Sequence, residues 1–152
     1  MTLPQPPAPA PVRAWHAVVA AEDPATRDRL LADLLAADVV FRSPAVHTPQ
    51  EGRDLTTAYL RAAMAVLGPT LHYERQLLGE RSAALEFRAD LDGTQVHGVD
   101  LLRWDELDHL VEFTVMVRPL KGLTTLVERM LSQLGVPPHD RPSSASGTSG
   151  TA

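Results

Sequence analysis

SAALEFRADLDGTQVHGVDLLRW, residues 82–104, contains two runs in which apolar and polar side chains alternate, separated by Asp92-Gly93. Alternation with a period of two is typical of a strand with one buried face, and Asp-Gly between two such runs is a strong signal for a tight hairpin turn. We therefore predict antiparallel strands over 82–91 and 94–104. Their apolar faces are formed by Leu85, Phe87, Ala89 and Leu91 in the first and by Val96, Gly98, Leu102 and Trp104 in the second.

Two further runs extend this hairpin into a four-stranded meander. The same alternation covers about 71–79 and 109–118, with turns between the runs at Gly79-Glu80 and residues 106–108. The last strand ends at Pro119, which cannot donate to a ladder. Its predicted inward residues are Val111, Phe113, Val115 and Val117.

Before and after the meander the apolar spacing is helical. A short helix around Trp15 ends near Glu22, and Asp23-Pro24 then supplies an N-cap and a first-turn proline for a second helix. A strand over 39–43 leads to a third helix between Gly52 and Gly68-Pro69. A closing helix covers 120–134. The predicted buried faces are Leu30, Leu31, Leu34 and Leu35 in the second helix, Leu55, Tyr59, Ala62, Ala63 and Val66 in the third, and Leu123, Val127, Met130, Leu131 and Leu134 in the last.

Helices followed by an antiparallel meander predict an α+β fold with the helices packed on one sheet face. The Pro-rich residues 1–11 and the Pro- and Ser-rich residues 136–152 lack apolar side chains in number, so we predict two disordered tails around one domain over 12–135.

The composition excludes several classes of function. The 152 residues carry a net charge of −5 and no cysteine, which excludes a disulfide scaffold, a thiolate zinc site and a cysteine nucleophile and disfavours nucleic acid as a partner. We see no membrane span and no secretory signal, so we expect a cytoplasmic protein. The absence of Ile and Asn, with Lys121 the single lysine, indicates a GC-rich genome, and we expect a bacterial source.

Asp100 breaks the pattern because it shares the apolar face of strand 94–104. A buried carboxylate is costly unless it is neutral, paired or hydrogen-bonded. An Asp kept protonated in an apolar pocket can donate a hydrogen bond to an enolate-type oxyanion. Equally, Asp100 could cap a buried backbone group or pair with a structural Arg or His. The sequence leaves both interpretations open.

Other groups of polar residues give weaker indications of function. His97 and Asp100 lie three apart in a strand and so face opposite sides, and the six histidines show no metal-ligand spacing, so we predict no metal. A Ser43–His47–Asp100 triad is conceivable, but Ser43 lacks the glycine context of a nucleophile elbow. His47, in the Pro-flanked loop SPAVHTP, is expected at a rim. No glycine-rich phosphate loop occurs, and we predict no cofactor.

The element order, together with LLADLLAADVVFRSP (30–44), HTPQEGRDLTTAYLRA (47–62) and GVDLLRWDE (98–106), resembles the nuclear transport factor 2-like superfamily with its SnoaL-like and ketosteroid-isomerase-like branches. The resemblance covers nearly all of 12–135. It implies a cone formed by a curved, mostly antiparallel sheet wrapped around N-terminal helices, with a C-terminal helix and a ligand pocket inside.

The resemblance also assigns positions. Ketosteroid isomerases use an Asp base and an oxyanion hole of Tyr and protonated Asp. In this resemblance Asp100 matches the protonated Asp. Ser43 occupies the position of the Asp base, and Trp15 aligns approximately with the position of the oxyanion-hole Tyr. Limonene-epoxide-hydrolase-like relatives use an Asp–Arg–Asp set, in which Asp100 fits the first acid but Gly98 and Val115 stand at the other positions. SnoaL-like cyclases chiefly need a carboxylate in an apolar cavity, which Asp100 supplies.

We therefore predict a SnoaL-like pocket for a small apolar carbonyl compound, which the protein isomerises, cyclises or dehydrates without a cofactor, with Asp100 as acid/base or hydrogen-bond donor. Tyr59 and Tyr73 are interpreted either as core residues or as ligand contacts. The alternative function is a non-catalytic ligand-binding or dimeric interaction domain. The predicted lining is Trp15, Phe41, Ser43, His47, Tyr59, Tyr73, Phe87, Leu102, Phe113, Val115 and Val117.

A homodimer is predicted through an apolar strip on the outer sheet face, formed by Val99, Leu101, Thr114 and Met116.

Overall fold

The structure is a computed structural model that describes Pro4 and residues 6–135. The predicted tail 136–152 lies outside the described residues. The helices are α1 (Ala10–Ala20), α2 (Pro24–Leu34), α3 (Arg53–Leu67) and α4 (Leu120–Gln133). The strands are β1 (Leu35–Arg42), β2 (Gln50–Glu51), β3 (His72–Leu78), β4 (Ser82–Leu91), β5 (Thr94–Trp104) and β6 (Leu110–Arg118).

The described strands form one open, curved sheet in the order β2-β1-β6-β5-β4-β3. All neighbours are antiparallel except β1 and β6, which run parallel. The predicted hairpin is confirmed: Leu91 pairs with Thr94, and Asp92 and Gly93 both have positive φ, as a type I′ turn requires. The predicted α+β fold with a mostly antiparallel meander is therefore confirmed.

The N-terminal half shows where local signals were sufficient and where they were not. Asp23 caps α2, and its Oδ2 accepts a hydrogen bond of 2.9 Å from the backbone N–H of Thr26. The helix ends one residue earlier than predicted, because Leu35 already belongs to β1 and pairs with Leu110 of the distant strand β6. Helix α1 begins at Ala10, inside the predicted tail, with Pro11 buried in its first turn. The two-residue strand β2 was not predicted.

The buried stripes of α3 and α4 are rotated from the predicted faces. Leu55 is exposed, and of the predicted face of α3 only Ala62 is fully buried, together with Thr56, Leu60, Met64 and Leu67. In α4 the predicted Met130 is buried, together with Gly122 and Leu126. The physical reason in α4 is Gly122: a Cβ there would lie 2.6 Å from the carbonyl oxygen of Gln95, so the absence of a side chain lets the helix approach β5 closely.

The core consists of two clusters on the helix-covered face of the sheet. The first surrounds Trp15, Phe41 and Phe113, and the second surrounds Phe87 and Leu126. Five half-buried side chains pack against both clusters and mark the boundary between them: Tyr59, Ala63, Leu71, Tyr73 and Val115. The candidate site lies at this boundary. Among the described helices, none is long and apolar enough to cross a membrane.

Candidate functional site

Asp100 lies on the core face of β5, as the alternation predicted. Its cross-strand neighbours are Leu85 of β4 and Val115 of β6, both uncharged. It is 5% exposed and, with Thr56, is one of two buried polar residues in the described part of the chain. Strand pleating, which places every second residue of β5 on the same face, puts Asp100 on the core face, and the strand order makes β5 an interior strand.

A chain of hydrogen bonds joins three side chains from separate elements. The indole Nε1–H of Trp15 in α1 donates to Oη of Tyr73 in β3 at 2.7 Å. The Tyr73 hydroxyl in turn donates to Oδ2 of Asp100 at 2.6 Å. Asp100 Oδ1 has no hydrogen-bond partner within the described residues. Of the alternatives left open by the sequence, neither backbone capping nor pairing with an Arg or His is present there.

Burial sets the protonation states of the hydrogen-bonded side chains Tyr73 and Asp100. It raises the pKa of Asp100 to about 7, because a carboxylate loses hydration there, while the hydrogen bond from Tyr73 works in the opposite direction. Burial, followed by the nearby charge of Asp100, raises the pKa of Tyr73, and the hydrogen bond from Trp15 opposes that rise. Tyr73 therefore keeps its proton, while Asp100 changes protonation state near neutral pH.

A narrow cavity lies against this hydrogen-bonded chain. The space that the centre of a water molecule can occupy in it is about 30 Å³, which is enough for about two waters or a ligand of a few heavy atoms. A larger ligand has to displace side chains. The lining is apolar apart from Trp15, Tyr73 and Asp100, and the remaining residues are Phe41, Pro44, Leu60, Ala63, Met64, Leu67, Leu71, Phe87, Phe113, Val115, Leu126 and Met130.

Seven predicted site residues line this cavity: Trp15, Phe41, Tyr73, Phe87, Asp100, Phe113 and Val115. Five others lie elsewhere. Ser43 follows β1, and its Oγ accepts a hydrogen bond from the N–H of Ala45, while His47 is exposed in the loop beyond. Tyr59 does not line the cavity and packs against the ring of Phe41, at a centroid distance of 5.4 Å. Leu102 and Val117 pack in the first and second core cluster.

The conceivable Ser43–His47–Asp100 triad is not assembled. Asp100 is buried and bonded to Tyr73, whereas His47 is exposed, and no hydrogen bond joins any two of the three in the described structure. His97 faces away from Asp100, as predicted from the strand spacing. On the outer face its Nε2 lies 3.0 Å from Oε2 of Glu86, and Nδ1 accepts from Arg118 at 3.2 Å.

Sequence reasoning placed Ala63 and Met130 on buried helix faces but missed the rest of the helical wall of the cavity. Leu60, Met64 and Leu67 of α3 lie at positions i, i+4 and i+7, and Leu126 and Met130 of α4 are four apart. These spacings are a helical-face signal that was available in the sequence. The chosen stripe, which began at Leu55, lay one position away.

Gly98 shows why the Asp–Arg–Asp arrangement is not formed. A Cβ at this position would lie 2.6 Å from the carbonyl oxygen of Met116 and would come too close to Cζ of Phe87. The Phe87 ring thus occupies the space where an Arg side chain would begin. Val115, at the second acid position, contributes an apolar wall.

Comparisons with known proteins agree with this geometry. No family model and no curated protein matches the chain. A solved steroid delta-isomerase from Pseudomonas aeruginosa is 34% identical with a TM-score of 0.75, over 85% of this chain and 95% of that one. An uncharacterised protein with a cystatin-like fold from Silicibacter pomeroyi DSS-3 is 28% identical with a TM-score of 0.74, over 83% and 86%.

A putative isomerase of the SnoaL-like family from Agrobacterium tumefaciens is similar in fold, with 16% identity and a TM-score of 0.56 over 72% of this chain and 95% of that one. The identity to the steroid delta-isomerase, which extends over most of both chains, goes further than a shared fold. The protein belongs to the nuclear transport factor 2-like superfamily, in the branch that contains SnoaL-like and ketosteroid-isomerase-like proteins.

Proposed function

We propose that this protein catalyses cofactor-independent proton transfer on a small, apolar carbonyl compound, with Asp100 as the group that takes up and returns the proton. The observation that carries this proposal is the position of Asp100: a carboxyl group with a pKa of about 7, held by Tyr73 at the wall of an apolar cavity. A general base works best when its pKa lies close to the operating pH.

The lining of the cavity favours Asp100 as base rather than as a permanently protonated donor. It contains no other carboxyl group and no histidine among the described residues. Ser43, at the base position of ketosteroid isomerases, does not line the cavity and bonds to the Ala45 N–H. If Asp100 only donated a hydrogen bond, nothing in the lining would be left to abstract a proton.

The proposed reaction is the isomerisation of a β,γ-unsaturated ketone, the class that the steroid delta-isomerase relative suggests. The Asp100 carboxylate takes a proton from the carbon between carbonyl and alkene, and the C–H electron pair delocalises into a dienolate. The protonated Asp100 then returns the proton to the γ carbon, and the electron pair forms the conjugated enone. Proton and electrons balance without a cofactor.

Tyr73 is the proposed oxyanion donor. Its hydroxyl donates to Asp100 while Asp100 is charged. Once Asp100 has accepted the substrate proton, it no longer competes as strongly for that hydrogen, and Tyr73 can donate to the dienolate oxygen. The Trp15 indole supports this role, because its N–H fixes Oη and stabilises negative charge there. Trp15 is thus a positioning residue.

The test is a spectrophotometric assay with a small β,γ-unsaturated ketone such as cyclohex-3-enone, which enters the cavity once lining side chains move and whose conjugated product absorbs in the ultraviolet. We expect turnover by the wild type and a loss of about 10²- to 10⁴-fold in Asp100→Asn, the range typical of general acid–base groups. Asp33→Asn, the same chemical change on the exposed face of α2, is the matched control and should retain activity. Equal activity in Asp100→Asn and the control would refute the role of Asp100.

The second candidate function is non-catalytic binding of a small ligand. The observation that favours it is the tightness of the cavity, whose free space is about 30 Å³. In that case ligands protect the protein from thermal unfolding, but no enone of any size is converted.

We also propose a homodimer through the outer sheet face. Met116 and Leu77 are 54% and 70% exposed there and lie in one groove with Val99, while Leu101 is partly exposed on the same face. The groove is flanked by the ion pair between Arg75 and Glu86, with N–O distances of 2.7 and 2.8 Å. Exposed apolar side chains framed by charges suit a two-fold contact.

A further inference from the structure

We infer that the same cavity is a binding site for a small organic ammonium ion, whose positive charge pairs with Asp100 and whose alkyl groups pack against the surrounding aromatic rings. This inference goes beyond the proposed function, because an alkylammonium carries no carbonyl and would be a ligand rather than a substrate of proton transfer.

The charge of the lining is the first argument. Asp100 is the one acidic residue of the cavity, and the described lining contains no Lys, Arg or His to balance it. Its single hydrogen bond engages Oδ2 and comes from the neutral hydroxyl of Tyr73, so Oδ1 has no partner within the described residues. A buried carboxylate in this state lacks a counter-ion, and a bound cation would supply one.

The aromatic lining is the second, independent argument. Five aromatic side chains line the cavity together with Asp100: Trp15, Phe41, Tyr73, Phe87 and Phe113. They come from α1, β1, β3, β4 and β6, so the rings surround the space from several directions. The face of an aromatic ring attracts a cation, most strongly in Trp and Tyr, and this attraction grows when the cation is desolvated. A neutral molecule of the same shape gains only apolar contact.

The size of the cavity further limits the class of ammonium ion that can bind. With about 30 Å³ available to water centres, methylammonium fits the cavity as it stands. Branched ammonium ions such as tert-butylammonium need side chains to move. Met64 and Met130 are in the lining, and their flexible thioether chains are the groups best able to make room.

The groups that face Asp100 set the pH range of binding. Its strand neighbours Leu85 and Val115 are uncharged, and Tyr73 is the titratable residue in contact with it. One layer further out, the His16 ring packs edge-on against Tyr73 at 5.0 Å. Because the ammonium pairs with the ionised form of Asp100, its apparent affinity should follow the ionised fraction of that carboxyl.

The experiment uses the indole N–H signal of Trp15, which touches the cavity, in nitrogen-15 NMR spectra of the full chain. Trp104, the second of the two tryptophans, does not line the cavity and is the internal reference; Trp104→Phe assigns the two signals. Methylammonium chloride is titrated against methanol, and tert-butylammonium chloride against its isostere tert-butanol, with sodium chloride at equal ionic strength.

We expect the Trp15 signal to shift in a saturable way with methylammonium at pH 8, with an affinity at least about tenfold above that for methanol. The affinity should fall about tenfold at pH 6, one unit below the pKa of Asp100, which is about 7. Asp100→Asn should bind the ammonium and the alcohol equally. The pH arm needs no variant, so it stands even if Asp100→Asn fails to fold.

The inference would be overturned if the wild type bound cation and alcohol equally. It would also be overturned if neither ammonium ion at about 100 mM shifted the Trp15 signal, because a dissociation constant of about 100 mM is the weakest that a built cation site should show. The outcome is separable from that of the proposed function. Enone turnover without ammonium binding overturns only the cation site, and ammonium binding without turnover overturns only the catalytic role.

Discussion

The hydroxyl of Tyr73 donates a hydrogen bond of 2.6 Å to Oδ2 of Asp100, although the two residues lie on strands that are not neighbours in the sheet. Strand β4 lies between them, and its Phe87 pairs with both Tyr73 and Gly98 in register. The bond therefore depends on the curvature and register of three strands. It connects a carboxyl group with a pKa of about 7 to the indole of Trp15 on the first helix.

Replacing Tyr73 by Phe should raise the pKa of Asp100 above its wild-type value of about 7, because the removed hydrogen bond is the interaction that lowers it. The substitution also leaves the Trp15 N–H without an acceptor, so we expect a loss of about 1–3 kcal/mol in the free energy of unfolding. Carbon-13 NMR of the Asp100 carboxyl measures the first effect and urea denaturation the second. An unchanged Asp100 titration would show that this bond is unimportant to its ionisation.

Stability should depend on pH through Asp100 in a defined direction. The folded pKa of about 7 lies above the unfolded value of about 3.9, so between these values the native state binds a proton that the unfolded state does not. The stabilisation that Asp100 contributes to the native state is complete below pH ~4. It falls by roughly 1.4 kcal/mol per pH unit between the two pKa values and is lost above pH ~7.

The check on this prediction is the difference in unfolding free energy between the wild type and Asp100→Asn, measured by urea denaturation from pH 4 to pH 8. The difference should decline with rising pH. Glu86, whose pKa is lowered to about 2 by hydrogen bonds with Arg75 and His97, affects stability below pH 4.5 and is common to both proteins. A difference that is flat or rises with pH would rule out a raised pKa of Asp100.

Gly98→Ala should destabilise the protein by about 1–3 kcal/mol, the usual range for overpacking, because the added methyl meets the Phe87 ring and the Met116 carbonyl oxygen. In the background of Phe87→Leu, which removes the ring, the cost should shrink without disappearing, since the Met116 contact remains. Thermal and urea unfolding of the wild type, the two single variants and the double variant test the coupling between Gly98 and Phe87. Additive losses in the free energy of unfolding would exclude a clash between them.

Met116→Glu should dissociate the proposed homodimer, because it places a charge in the outer-face groove at a residue that is 54% exposed. Leu107→Glu, a change of the same kind at a residue that is 76% exposed in the β5–β6 turn, is the control and should leave the dimer intact. Light scattering after size exclusion gives the mass directly. A monomeric wild type at micromolar concentration would eliminate the dimer.

The sheet and the position of Asp100 could be predicted from the sequence because strand signals are local. The Asp92-Gly93 turn fixes the register of β4 and β5, and that register alone places Asp100 beside Leu85 on the buried face. Helical spacing and capping residues placed the remaining elements, and the resulting order carried the resemblance to the superfamily. Fold class therefore required only local signals, namely strand alternation, turn residues and helical spacing.

What could not be predicted depends on contacts between distant segments. Leu35 joins β1 because it pairs with Leu110, seventy-five positions away, and no neighbouring residue signals this. Likewise, the sequence left Tyr73 open as a core residue or a ligand contact, and nothing near it indicates a hydrogen bond to Asp100, which lies two strands away. The rotation of α4 is set by Gly122 against Gln95, a packing constraint that helical spacing does not contain.

In the proposed mechanism the ionised carboxylate of Asp100 moves the substrate proton. The most direct measurement is the pH dependence of kcat/KM for enone isomerisation between pH 5 and 9, which reports the ionisation of the free enzyme. The rate should rise tenfold per pH unit, bend at the pKa of Asp100, about 7, and then stay level, with the bend displaced upward in Tyr73→Phe. A rate that falls as pH rises through this range would mean that protonated Asp100 is the active form, and would exclude its carboxylate as the base.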